Sequence, residues 1–192
     1  MGFFRKFFSG KAPEKKEGKI VLLGASEAGK TTLVRYLETG KPVESDVKTT
    51  LGIDLRKTSI KIDGWSFKAI DVGGQELYQK TFWALGVRQA DAVIYIIDGT
   101  TKANGENAKW ETSRFQFDYM LKLVDQDIPL LILVNKQDLT ELNPLTAEEI
   151  IDLYDIKNLL DRSLAVLPTS AKYGDGVQTS MEWLAEKIDE NN

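Results

Sequence analysis

The chain has 192 residues, of which 42% are hydrophobic, enough to build the core of one domain. It contains neither cysteine nor histidine, which excludes disulfides, thiol chemistry and an imidazole base or metal ligand, so any hydrolysis must work by positioning and electrostatics. A net charge of −4 and a pI of about 5.1 argue against a general nucleic-acid binder, and no nucleic acid is expected as a partner.

The charge is unevenly placed. Residues 1–19 carry Arg5, Lys6, Lys11, Lys15, Lys16 and Lys19 against Glu14 and Glu17, a net of +4 that leaves −8 for the remainder. A basic front on an acidic body points to an anionic surface as a partner. In MGFFRKFFSG, at about 100° per residue, Phe3, Phe4, Phe7 and Phe8 fall on one arc of a helix and Arg5, Lys6 and Ser9 on the other. Such a helix suits a membrane interface and is too short to be stable in water alone; the alternatives are that the phenylalanines pack permanently on the domain or bind another protein. The run KAPEKKEG (11–18) reads as a linker, so the expected division is a helix and linker over 1–18 and one domain over 19–192. Arg5 and Lys6 interrupt the apolar residues before a signal peptide could form, and the chain offers neither a myristoylation nor a prenylation motif. The longest apolar run, AVIYII (92–97), is far short of the ~18–20 residues that cross a bilayer. A cytoplasmic protein with reversible peripheral membrane contact is expected.

The first predicted strand, IVLL (20–23), leads into Gly24-Ala-Ser-Glu-Ala-Gly-Lys-Thr31, which fits the spacing G-x-x-x-x-G-K-[ST]. Backbone N–H groups of such a loop, including those of Glu27, Ala28, Gly29 and Thr32, cradle phosphates, and the helix opening near Gly29 adds its positive end. Lys30 reaches the β- and γ-phosphates, and the Thr31 hydroxyl ligates Mg²⁺. Taken alone, the loop leaves ATP and GTP both open.

A helix is predicted over 30–39, then Lys48-Thr-Thr-Leu-Gly52, where Thr50 is placed to reach Mg²⁺ and the γ-phosphate. Strands follow over 55–62 and 65–72, joined by the hairpin signal Asp63-Gly64. The second ends in Asp71-Val-Gly-Gly-Gln-Glu76: Asp71 holds Mg²⁺ through water, the Gly74 N–H bonds the γ-phosphate and Gln75 orients the attacking water. Loss of the γ-phosphate would release both segments.

Strands over 92–98 and 130–134 are continuous Val/Ile/Leu runs suited to burial on both faces of a parallel sheet. After the second comes Asn135-Lys-Gln-Asp138. Asp138 can accept from the guanine ring N–H and exocyclic amine together, a donor pair that adenine lacks. The Lys136 stem can lie along the base, and Asn135 can tie this loop to the phosphate loop. The strand 164–168 precedes Thr169-Ser170-Ala171-Lys172, where a backbone N–H near Ala171 can donate to the guanine O6. Further helices are predicted over 106–125, 146–154 and 177–188. The pattern is an α/β P-loop domain, doubly wound, with a mostly parallel six-stranded sheet and one antiparallel edge hairpin.

With these elements in order, the chain resembles a Ras-like small GTPase and, within that group, the Arf/Arl branch. The double glycine before Gln75 and the Gln between Lys136 and Asp138 carry the finer likeness. Three positions depart from it: Ser26 where an acidic residue is usual, Thr49 in place of Pro, and Ile70 in place of Trp. These fit a divergent or prokaryotic member. The resemblance implies a GTP/GDP switch with slow Mg²⁺-dependent hydrolysis, in which Lys30 and Gln75 are catalytic and a GAP, a GEF and effectors are partners. It also implies an N-terminal helix released to a membrane when GTP moves residues ~50–72. The alternatives are a GTP-holding adaptor without hydrolysis and an ATP-using P-loop enzyme such as a kinase.

Overall fold

The computed structural model describes residues 16–44, 53–62, 65–72, 76–88, 90–101, 107–159 and 161–191. Six strands, β1 (Lys16–Gly24), β2 (Ile53–Ile62), β3 (Trp65–Val72), β4 (Ala92–Asp98), β5 (Leu130–Asn135) and β6 (Leu164–Pro168), form one sheet in the order β2-β3-β1-β4-β5-β6. All neighbours are parallel except β2 and β3, which pair antiparallel as the hairpin pattern predicts. The β1, β3, β4, β5 and β6 strands therefore end on one edge of the sheet, where open α/β sheets bind ligands.

Side-chain alternation along the strands sorts the core into two layers. Ile20, Leu22, Ile94, Ile96, Leu131 and Leu133 face α1 (Lys30–Thr39) and α5 (Val177–Glu190). Val21, Leu23, Val93, Tyr95, Ile132 and Val134 face α2 (Glu76–Val87), α3 (Asn107–Leu121) and α4 (Ala147–Leu153). The unbroken apolar runs of β4 and β5 are thus buried on both faces, as central parallel strands must be.

Local chemistry sets the helix ends. Gly40 closes α1 in the left-handed conformation, its N–H donating to the Tyr36 carbonyl at 2.7 Å. Thr146 and Glu149 form a reciprocal capping box at the start of α4. The Tyr154 hydroxyl just beyond α4 lies 2.9 Å from that of Ser113, joining α4 to α3; burial pushes its pKa up to about 12.

Several elements differ from expectation. β1 begins at Lys16, so the last three residues of the stretch read as a linker belong to the sheet, and the expected 18/19 boundary falls inside a strand. Backbone pairing with β3, from Lys16 beside Trp65 onward, recruits these polar residues without an apolar pattern. The helix α2 and a short 3-10 turn over Ile156–Leu159 carry no predicted counterpart. The helix expected over 106–125 ends at Leu121, and Lys122 to Val124 continue as turns.

Candidate functional site

The phosphate loop leaves β1 at Gly24 and enters α1 at Lys30. Gly29 adopts φ 105°, a left-handed conformation open mainly to glycine. A Cβ there would lie 2.2 Å from Asn135 Nδ2, so the absent side chain also makes room for β5. Lys30 is only 5% exposed, and its ammonium donates to the carbonyls of Gly24 at 3.0 Å and Ala25 at 2.7 Å. The loop thus wraps its own lysine, fixing a buried positive charge at the head of α1. Thr31 and Thr32 open that helix. Glu27 holds φ 64°, a conformation that costs a non-glycine residue about 1–3 kcal/mol. Its carboxylate lies 3.6 Å from the Lys109 ammonium of α3, an exposed pair that contributes little to stability.

Asn135, at the end of β5, joins three segments. Its Nδ2 donates to the Ala28 carbonyl at 2.8 Å, and its Oδ1 accepts from the Ala171 N–H at 2.8 Å. The side chain is buried, so both ends of the amide are satisfied where an unmet polar group would be costly. In the expectation from sequence, an N–H near Ala171 served the base; here the Ala171 N–H is directed at Asn135 instead, because the two loops pack within hydrogen-bond distance.

Ser170 donates through Oγ to Asp138 Oδ1 at 2.7 Å, which orients the carboxylate. Lys136 stands at φ 67°, the second strained non-glycine residue among these loops. Its ammonium donates to Asp98 Oδ2 at 2.7 Å. Lys172 is exposed; its carbonyl accepts from the Val43 N–H at 2.9 Å, tying the segment after α1 to this loop.

Asp71 pairs in register with Leu22 of β1 and Asp54 of β2, which brings its backbone to the sheet edge that carries the phosphate loop. Thr50, Gly74 and Gln75, and the phenylalanines Phe3, Phe4, Phe7 and Phe8, lie outside the described residues. The structure therefore brings together Glu27, Ala28, Gly29, Lys30, Thr31 and Thr32 with Asn135, Lys136, Asp138, Ser170, Ala171 and Lys172 on one edge.

Two supporting contacts were not anticipated from the sequence. Asp98 ends β4 beside Asn135 in register, and Gln137 donates through Nε2 to the Leu145 carbonyl at 3.0 Å. The signal for the first was present: Asp98-Gly-Thr-Thr101 is turn chemistry at a strand's C-terminal end, on the edge where ligands bind.

A family model described as the ADP-ribosylation factor family matches residues 4–188. ADP-ribosylation factor-like protein 3 from Chlamydomonas reinhardtii is 33% identical over 181 residues, covering 91% of this chain and 94% of that protein. ADP-ribosylation factor-like protein 6 from Danio rerio is 28% identical over 191 residues, covering 98% and 97%. In fold, the chain is similar to the Arl6 BBS3 small GTPase from Trypanosoma brucei, solved with the bound nucleotide analogue GppNp. That likeness has a TM-score of 0.76 at 22% identity and covers 92% of this chain and all of the other.

Proposed function

The chain belongs to the ADP-ribosylation factor family, and from that premise we propose that it is a Mg²⁺-dependent GTP/GDP switch that hydrolyses GTP slowly and contacts membranes through its N-terminal helix. The observation that carries the nucleotide reading is the Asn135 joint, which locks the phosphate loop, the Asn135–Asp138 loop and the Thr169–Lys172 loop into one site. A phosphate cradle and a carboxylate oriented by Ser170 are then held on a common edge, as recognition of a guanine nucleotide requires.

In this reading, Lys30 and the loop N–H groups from Glu27 to Thr32 hold the phosphates. Thr31, Thr50 and Asp71 would hold Mg²⁺, which would offset negative charge on the phosphates. The fit rests on Thr31 at the head of α1 and Asp71 beside β1, both at the phosphate end of the sheet. Gly74 and Gln75, next after Asp71-Val-Gly in the sequence, would bond the γ-phosphate and orient water respectively. Asp138 selects the base, Lys136 lies along it, and Ala171 and Lys172 form the neighbouring wall. A GAP speeds turnover by acting in trans, a GEF opens the site, and an effector reads residues ~45–85.

Titration with a fluorescent GDP analogue, competed by GTP and by ATP, tests the base; equal competition by ATP would overturn the guanine assignment. Single-turnover phosphate release then tests hydrolysis. Tight GTP binding with no release, even alongside cell lysate, would make the protein a GTP-holding adaptor instead.

A further inference from the structure

The Asp98 carboxylate has both oxygens committed, to different tasks. Oδ1 accepts from the Thr100 N–H at 2.9 Å and the Thr100 hydroxyl at 2.8 Å. The Thr101 hydroxyl and N–H return to the Asp98 carbonyl at 2.9 and 3.3 Å, closing the turn. With Oδ1 so held, Oδ2 is aimed at Lys136 Nζ, 2.7 Å away, and both side chains are mostly shielded from solvent, 20% and 28% exposed. Around them the fit is close. The Gly99 N–H donates to the Asn135 carbonyl at 3.0 Å, and a Cβ on Gly99 would sit 2.9 Å from that oxygen and 3.0 Å from Gln137 Nε2. The turn after β4 is thus packed against the base loop with no room for a side chain.

We propose that Asp98 is a positioning residue for the nucleotide: it clamps the Lys136 ammonium so that the four-carbon stem lies across the base, and so sets how long guanine nucleotide stays bound. The inference rests on the guanine reading above. Lys136 has a flexible four-carbon stem, so unassisted it would sample many rotamers. A charge-assisted hydrogen bond at a sheltered site removes that freedom before the ligand arrives. Asp138 is held independently, by Ser170, so the clamp governs residence on the base face and leaves the choice of base alone.

The test is dissociation of a fluorescent GDP analogue and a fluorescent GTP analogue, chased with excess nucleotide, from the full chain carrying Asp98→Asn. That change keeps an acceptor for Thr100 but presents an amide donor to the ammonium. Both nucleotides are expected to leave about tenfold faster, the scale of one lost charge-assisted bond. Lys136→Met alone should also speed release, and adding Asp98→Asn to it should speed release no further, because the effect passes through Lys136. The preference for GDP over inosine diphosphate should be unchanged. An unaltered rate in Asp98→Asn would overturn the inference, as would an additive effect in the double variant or a shifted base preference, either of which marks a general brace of the loop. If the unaltered chain itself fails to hold the GDP analogue, the guanine reading falls and the clamp with it; if it holds the analogue and only the Asp98→Asn effect is missing, the clamp alone falls.

Discussion

Gly29 stands under two independent demands, a left-handed backbone and the approach of Asn135. Gly29→Ala strains the first and collides with the second, and it can relieve the collision only by breaking the bond from Asn135 to Ala28. Together these should cost about 3 kcal/mol of nucleotide binding, or roughly a hundredfold in affinity. A titration with fluorescent GDP reads the loss directly; an affinity within about threefold of the unaltered chain would show that the loop can yield elsewhere. At this scale the sequence was most legible where spacing encodes chemistry. Gly29, Lys30, Asn135 and Asp138 are recognisable because each sits at a fixed offset from a strand end. The strand-end place of Asp98 is equally readable, but its pairing is not, because Lys136 is distant in the chain and meets it only when β4 and β5 lie side by side.

The helix α2 shows what periodicity misses. Within ELYQKTFWALGV, Trp83 is 0% exposed and packs edge-on to Tyr95, while Leu85, two residues on, is 58% exposed. Large apolar side chains point both inward and outward, so no single stripe announces a helix. The strand β1 hides its first residues for the opposite reason: Lys16, Glu17 and Gly18 carry no apolar signal and join the sheet through backbone pairing alone. The strands β4 and β5 were legible throughout, since burial on both faces demands an unbroken apolar run. The contrast within α2 is measurable. Trp83→Ala empties a fully buried site and should cost about 3–5 kcal/mol, whereas Leu85→Ala should stay within about 0.5 kcal/mol. Denaturant midpoints at constant slope check this; equal losses would mean that Leu85 is covered in solution.

Across the whole molecule, charge is divided between a front of +3 over residues 1–15, ahead of β1, and a body of −7. An anionic membrane should attract the first and repel the second, so binding requires the front to be free of the body. Co-sedimentation with vesicles containing phosphatidylserine should rise when GDP is replaced by a non-hydrolysable GTP analogue. It should fall as salt is raised from about 0.1 M to about 1 M, because the screening length shrinks from about 10 to about 3 Å. No sedimentation in either nucleotide state would refute the membrane proposal. β1 adds a constraint of length. From Lys16 to Gly24 it spans eight residue steps, about 26 Å at strand rise, with Lys16 paired to Asp189 at one end and the phosphate loop at the other. A reporter or affinity handle fused ahead of Lys16 is therefore attached a full strand length from the nucleotide, and the mouth of the site stays open for exchange measurements on a surface-tethered protein.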